Sequence, residues 1–254
     1  MTPPGLEELT RHPTVTGVFL DFDGTLSEIA PTPEDARAVE GLGPVLERLV
    51  ARYRVVAIVS GRPAAQVAAL VRVPVRFFGL YGLEDERGPA PDAERLAAAV
   101  EEAFPEIERA AAYVPGTRVE RKGLSVAIHY RGVPEPEAAR RVLLERLRAV
   151  ARTRDLEVME GKRVVELTAG PRPSKGDVLR RVARAEGLRY LLFAGDDLAD
   201  LEAFDAVEAL ASEGLMGVRV AVRSPETPDR MVERADLVVE GPRGLLDLLS
   251  KLVP

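Results

Sequence analysis

An α/β core built on a parallel sheet and interrupted by a smaller α+β insert is the fold the sequence predicts, from three observations. Short continuous apolar runs alternate with segments of helical spacing at both ends of the chain. Strands apolar on both faces belong to a parallel sheet covered by helices on each side. The middle of the chain breaks this rhythm with paired, alternating strands and long helices. With 254 residues, 46% hydrophobic and 30% charged, the chain has ample apolar surface for such a core.

The run 15–20 (VTGVFL) is too short for a helix and rich in β-branched residues, so it reads as a buried strand ending at Asp21. Residues 34–53 carry helical spacing through Val39, Leu42, Val45, Leu46 and Leu49. The run 55–59 (VVAIV) then closes on Ser60-Gly61-Arg62. A helix over 64–71 and a strand over 75–80 follow, after which Gly79, Gly82 and Gly88 mark a loop. The last third repeats the scheme, with a helix over 175–186 ended by Gly187 and a strand over 190–194 ending in Gly195-Asp196-Asp197. A helix over 200–211, strands over 218–222 and 237–239, and a closing helix near 245–252 complete it.

The segment 88–168 holds a helix over 93–104 and a hairpin about Lys122-Gly123 with the alternating run SVAIHYR. A second helix over 135–152 and a strand pair about Glu160-Gly161 follow. The expected organisation is a core formed by 1–87 and 169–254 with an inserted α+β domain at 88–168.

Composition narrows the function classes. Acidic residues outnumber basic ones by 41 to 35, a net charge of −6, and only 5% of residues are aromatic. This argues against a nucleic-acid footprint, which needs a basic surface with stacking groups. No run approaches the ~20 apolar residues of a membrane span, and the first residues lack a signal core, so a cytoplasmic protein is expected. Cysteine is absent and His12 and His129 are the only histidines, which excludes disulfides, thiol nucleophiles and His-rich metal sites. The absence of asparagine, a single glutamine (Gln66) and 20 prolines fit a thermophile, although a GC-rich genome gives the same bias. Lysine occurs only at 122, 162, 175 and 251, so each lysine merits inspection.

In an open α/β sheet, ligands bind at the carboxyl ends of the strands. Three acidic or polar groups lie there: Asp21-Phe22-Asp23-Gly24-Thr25, Ser60-Gly61-Arg62, and Gly195-Asp196-Asp197 with Asp200 close behind. A single aspartate at such a place is most often a helix cap or turn former. Several after separate strands, with Lys175 opening an intervening helix, form a site that repels itself without a cation. Oxygen-only ligation selects a hard ion that keeps waters and meets phosphate, typically Mg²⁺. The nucleotide-binding loops G-x-x-x-x-G-K-[ST] and G-x-G-x-x-G are both missing.

Asp21-Phe22-Asp23-Gly24-Thr25-Leu26 after an apolar strand resembles the D-x-D-G-T-L motif of the haloacid dehalogenase superfamily. Ser60, Lys175 and Gly195-Asp196-Asp197 match its further motifs in order. Within it the chain most closely resembles the trehalose-6-phosphate phosphatases. The matching segments are Ser60-Gly61-Arg62, Gly79-Leu80-Tyr81-Gly82-Leu83-Glu84, Val119-Glu120-Arg121-Lys122-Gly123, His129-Tyr130-Arg131, and Glu160-Gly161-Lys162 to Glu166 before Lys175-Gly176. Two departures stand out. Leu198-Ala199-Asp200-Leu201-Glu202 replaces the common Thr-Asp-Glu-Asp, and Leu167-Thr168-Ala169-Gly170 follows Glu166 in place of Arg-Pro.

The resemblance implies a Rossmann-like core with a cap, and Mg²⁺-dependent hydrolysis of trehalose 6-phosphate to trehalose and phosphate. Asp21 is then the nucleophile, forming an aspartyl-phosphate, and Asp23 protonates the sugar oxygen and later activates water. Mg²⁺ falls to Asp21, the backbone carbonyl of Asp23 and Asp196, with Asp197 and Asp200 behind them. Lys175 holds Asp21 and the phosphoryl oxygens. Ser60 either donates to phosphate or caps the helix after Pro63, and Arg62 shares that ambiguity. Glu120, Lys122, Arg131, Lys162 and Glu166 contact the sugar, or else form a solvated charged face; His129 is structural. The chain is read as a monomer. Rival readings are a phosphatase for another sugar phosphate or a glycosyl phosphoglycerate, a sugar phosphomutase, and a non-catalytic sugar-phosphate binder.

Overall fold

Each apolar run at the two ends of the chain forms a strand in the computed structural model, which describes residues 4–30, 32–85, 87–89, 93–161, 163–170 and 173–253. The chain divides into two units, 1–87 with 173–254, and 88–172.

In chain order the first unit begins with α1 (Pro4–Arg11), β1 (Thr16–Leu20), α2 (Leu42–Arg52), β2 (Val55–Val59), α3 (Ala64–Val71) and β3 (Arg76–Phe78), and reaches the two-residue strand β4 (Glu84–Asp85). The second unit contains β5 (Gly88–Pro89), α4 (Ala93–Ala111), β6 (Arg118–Arg121), β7 (Ser125–His129), α5 (Pro136–Arg154), β8 (Leu156–Gly161) and β9 (Val164–Ala169). The chain then returns to the first unit with α6 (Lys175–Ala185), β10 (Tyr190–Gly195), α7 (Leu201–Ser212), β11 (Met216–Arg223), α8 (Asp229–Arg234), β12 (Leu237–Glu240) and α9 (Gly241–Leu252).

The first unit's sheet is six-stranded and parallel, in the order β12-β11-β10-β1-β2-β3. Successive strand residues serve opposite faces. Val18, Leu20, Val56, Ile58, Leu192 and Val220 pack with Leu46 and Leu49 of α2 and Leu245 and Leu249 of α9. Phe19, Ala57, Val59, Leu191 and Phe193 pack with Val178 and Leu179 of α6 and Phe204 of α7. That double burial is why the strands carry no alternation in sequence.

Two segments depart from the sequence expectation. The helix expected over 34–53 starts only at Leu42, after Gly41 at φ 90°. Before it, Ala38 bridges Ser27 and the Val39 amide donates to the Leu26 carbonyl at 2.8 Å, so the chain folds back on the turn that follows β1. Helix α1 had no sequence expectation, yet Leu6 and Leu9 are fully buried.

In the second unit an antiparallel sheet, ordered β6-β7-β9-β8, has α4 and α5 packed on it. Helix α4 continues through Pro105, beyond its expected end at 104. Among the described residues no helix is long and apolar enough to cross a membrane.

Helix α6 is fixed at its start by a capping box. The Asp177 amide donates to Ser174 Oγ at 3.0 Å, and the Ser174 amide donates to Asp177 Oδ2 at 2.9 Å. Burial acts to raise the Asp177 carboxyl, but hydrogen bonds from Ser174 and Arg180 outweigh it and hold the group at about 2. Since the folded value lies below the ordinary one, this stabilisation is present above about pH 4 and is lost as pH falls toward 2. Ser174→Ala should cost about 1 kcal/mol at pH 7. The cost of Asp177→Asn, measured by urea melts, should shrink between pH 4 and pH 2; a cost independent of pH would show that the carboxylate does not hold this cap.

Candidate active site

The site is assembled by strand order. β1 is flanked by β10 and β2, with Leu20 opposite both Ala194 and Ile58, so the residues that follow these strands share one edge. The Asp21 amide donates to the Ala194 carbonyl at 2.9 Å, bringing Asp21 beside the segment that carries Asp196.

A tight turn follows Asp21, with the Leu26 amide bonded to the Phe22 carbonyl at 2.8 Å. Gly24 takes φ +85°, and a Cβ there would lie 2.0 Å from Asp196 Oδ2, so this position requires glycine on both counts. Thr25 Oγ1 donates to Asp196 Oδ1 at 3.2 Å. Beyond β10, Asp200 turns back: its Oδ2 accepts the amides of Asp196 at 2.9 Å and Asp197 at 3.0 Å. Asp197 instead caps the next turn, its Oδ1 accepting the Leu198 amide.

Lys175, at the first turn of α6, donates to Asp21 Oδ1 and to Asp200 Oδ1, each at 2.6 Å. Asp21 is 5% exposed, Lys175 3%, and Asp196 and Asp200 not at all. Burial pushes the Asp21 carboxyl up to about 7, with Asp200 and Asp23 adding to the shift and Lys175 opposing it. For Lys175 burial opposes the charge, but Asp200 and Asp21 hold the ammonium above the ordinary lysine range.

Asp21, Asp196 and Asp200 each offer an oxygen within 4.8 Å of the others, a group that could hold a metal ion. The donor set fits a hard cation. Three carboxylates are enclosed here beside the Lys175 ammonium, and buried charge needs a partner. Every side-chain ligand is an oxygen, which suits a Mg²⁺-class ion and not a thiolate-seeking one.

Asp23 stands apart from this cluster. Arg62 Nε and Nη2 donate to Asp23 Oδ2 and Oδ1, each at 2.6 Å. Ser60 is buried at the end of β2, and its Oγ accepts the Arg62 amide at 3.1 Å. The helix-cap reading of Ser60 fails, because α3 starts at Ala64 with Pro63 as its cap residue and no side-chain bond there.

In the second unit Glu120, Ala127 and Glu166 lie opposite one another across β6, β7 and β9, and therefore on one face of the sheet. Glu166 is buried, accepting from Lys122 at 3.0 Å and from Ser125. Glu120 lies 2.7 Å from His129 Nε2, and its carboxyl is held below the ordinary range chiefly by that hydrogen bond. The structure thus pairs Lys122 with Glu166 and Glu120 with His129, and sequence reasoning named neither pair. Arg131 sits half-buried in the turn after β7, and Lys162 lies outside the described residues.

Sequence reasoning missed two features of the first unit. The pairing of Arg62 with Asp23 joins loops 39 residues apart and carries no local signal. Leu80 and Tyr81 occupy left-handed conformations, with φ 49° and 60°, between Gly79 and Gly82, and nothing in their residue types signals it.

A family model described as trehalose-phosphatase matches residues 19–232. A trehalose-phosphate phosphatase of Mycobacterium ulcerans is 34% identical over 268 aligned positions, covering 98% of this chain and 65% of the relative, so the chain spans about two thirds of that protein's length. Among solved structures, a trehalose-6-phosphate phosphatase related protein is 25% identical with a TM-score of 0.75, covering 93% of this chain and 96% of that one. The C-terminal domain of Candida albicans trehalose-6-phosphate phosphatase is 22% identical with a TM-score of 0.83, covering 100% and 98%, a likeness of fold.

Proposed function

We propose that this chain, which belongs to the trehalose-phosphatase family of the haloacid dehalogenase superfamily, hydrolyses trehalose 6-phosphate to trehalose and phosphate, with Mg²⁺ held by its buried aspartates. The observation that carries the reading is Asp21, which leaves a central strand into a buried cluster with Lys175, Asp196 and Asp200.

Phosphate monoesters hydrolyse very slowly in water, so the site must place a nucleophile, balance charge and protonate the leaving oxygen. Lys175 occupies Asp21 Oδ1, which leaves Oδ2 to attack phosphorus in line and form an aspartyl-phosphate. Asp23, outside the cluster, gives a proton to the departing sugar oxygen and then takes one from the water that cleaves the acyl-phosphate. The phosphorylated carboxylate cannot do both. Asp200 holds Lys175 and, through two backbone amides, the loop bearing Asp196. Asp21, Asp196 and the backbone carbonyl of Asp23 are the proposed ligands; when bound there, a divalent ion offsets the repulsion between carboxylate and phosphate dianion. Ser60 donates to a phosphoryl oxygen.

In the second unit, Glu120, Lys122, Arg131, Lys162 and Glu166 are proposed to recognise sugar hydroxyls. Carboxylate and ammonium groups together suit a disaccharide with no charge beyond its phosphate.

Phosphate release across a panel of sugar phosphates tests this reading. Trehalose 6-phosphate should be preferred, chelation should abolish release and Mg²⁺ should restore it. A net yield of isomerised sugar phosphate without free phosphate would replace the phosphatase with a mutase. Glu120→Gln removes a charge-assisted acceptor worth ~1.5–3 kcal/mol. It should lower kcat/KM for trehalose 6-phosphate by roughly 10- to 150-fold while barely changing hydrolysis of p-nitrophenyl phosphate. Equal losses on both would remove the sugar role from Glu120.

A further inference from the structure

The chain contains a guanidinium–carboxylate fork that the phosphatase reading does not explain. Asp23, the proposed proton donor, has both carboxylate oxygens taken by Arg62, each bond 2.6 Å long. A phosphate group offers the same kind of paired acceptors as a carboxylate and is gripped by arginine in the same two-pronged way.

We propose that Arg62 is a positioning residue with two alternative partners: it holds Asp23 in the free enzyme and passes to the phosphate group when substrate binds, which frees Asp23 to meet the leaving oxygen. This rests on the phosphatase reading and deepens it.

Arg62 is the fixed member of the pair. Its side chain is 12% exposed, whereas that of Asp23 is 44% exposed and can turn away. The guanidinium carbon lies 5.7 Å from the centroid of the Phe22 ring, and Phe22 is the residue between the nucleophile and Asp23. The Arg62 backbone is locked on both sides: its amide donates to Ser60 Oγ at 3.1 Å and its carbonyl accepts the Leu80 amide at 3.0 Å. The adjoining Tyr81 amide donates to the Ser60 carbonyl at 2.9 Å.

Those last two bonds come from Leu80 and Tyr81, both non-glycine residues in left-handed conformations. Such backbone persists only where its surroundings over-determine it. A Cβ at Gly61 would lie 2.7 Å from Cζ and Oη of Tyr81, so glycine lets this ring rest directly on the arginine-bearing loop. A loop held this firmly presents a guanidinium whose place is set before any ligand arrives, so phosphate and Asp23 compete for it.

Competition has a signature that mere charge removal lacks. Orthophosphate, titrated by calorimetry into the Mg²⁺-loaded full chain, is the probe for wild type, D23N, R62Q and D23N/R62Q. D23N should tighten phosphate binding by about tenfold or more and R62Q should weaken it. In the R62Q background the gain from D23N should fall below about threefold, because the contested donor is gone. Equal gains in both backgrounds would mean that D23N acts only by removing a negative charge, and the exchange is overturned; so it is if D23N gives no gain. R62K keeps the charge without the fork and should lose the coupling as R62Q does, which covers a folding failure of R62Q. If wild type binds no orthophosphate the exchange also falls, whereas the phosphatase reading stands or falls separately on phosphate release from trehalose 6-phosphate.

Discussion

Asp21→Asn should abolish phosphate release, by a factor on the order of 10⁴ or more, while leaving the fold intact. Asparagine keeps the shape of the side chain but offers no anionic oxygen to phosphorus. Stability separates this outcome from simple unfolding. Burial raises the Asp21 carboxyl to about 7, above its ordinary value near 4. In the metal-free protein its contribution is therefore fully favourable below about pH 4 and is lost as pH rises through about 7, because ionising the buried group works against the fold. A neutral amide escapes that penalty, so metal-free D21N should be at least as stable as wild type at pH 8. Hydrolysis of a substrate made chiral at phosphorus with oxygen isotopes should also proceed with retention of configuration, because displacement by Asp21 and then by water inverts phosphorus twice. Inversion at phosphorus, or a D21N variant that still turns over, would remove Asp21 as nucleophile.

The parts of this arrangement that were legible in the sequence are those set by local pattern. The doubly buried strands announce themselves because 16–20, 55–59 and 190–195 need apolar residues on both faces, and the residues that follow such strands lie at the ligand-binding edge. Asp21, Ser60 and Asp196 could thus be named before any contact was known, and the rarity of lysine marked Lys175. What was not legible depends on contacts between distant segments. The division of labour between Asp197, which caps a turn, and Asp200, which supports Lys175 and the Asp196 loop, arises from how a four-residue segment folds back on itself. The grip of Arg62 on Asp23 has no periodicity to betray it. The 34–53 segment misleads for a related reason: Val39 has helical spacing with Leu42 and Val45, but its backbone is drawn into pairing with Leu26 and the helix waits for Gly41.

Lys175→Met should combine the largest loss of stability with loss of activity. Methionine fills a similar volume but has no charge and no donor, so Asp21 and Asp200 lose the ammonium that bonds both at 2.6 Å. Asp200 is fully buried and its other oxygen is already held by two amides, so it cannot turn to water. Removing one partner of a buried ion pair typically costs ~3–5 kcal/mol, most of it the penalty of the stranded charge. The same change takes a positive charge from the attacking carboxylate and should reduce turnover at least about 10³-fold. A second substitution tests the cause. D200N removes one stranded charge, so K175M/D200N should be less destabilised than the two single effects added together, by more than ~1 kcal/mol in denaturant melts of the metal-free protein. Its activity should stay lost, because neither change returns an ammonium to Asp21. Additive destabilisation would mean that Lys175 and Asp200 act independently, and a K175M enzyme within tenfold of wild-type turnover would remove Lys175 from the chemistry.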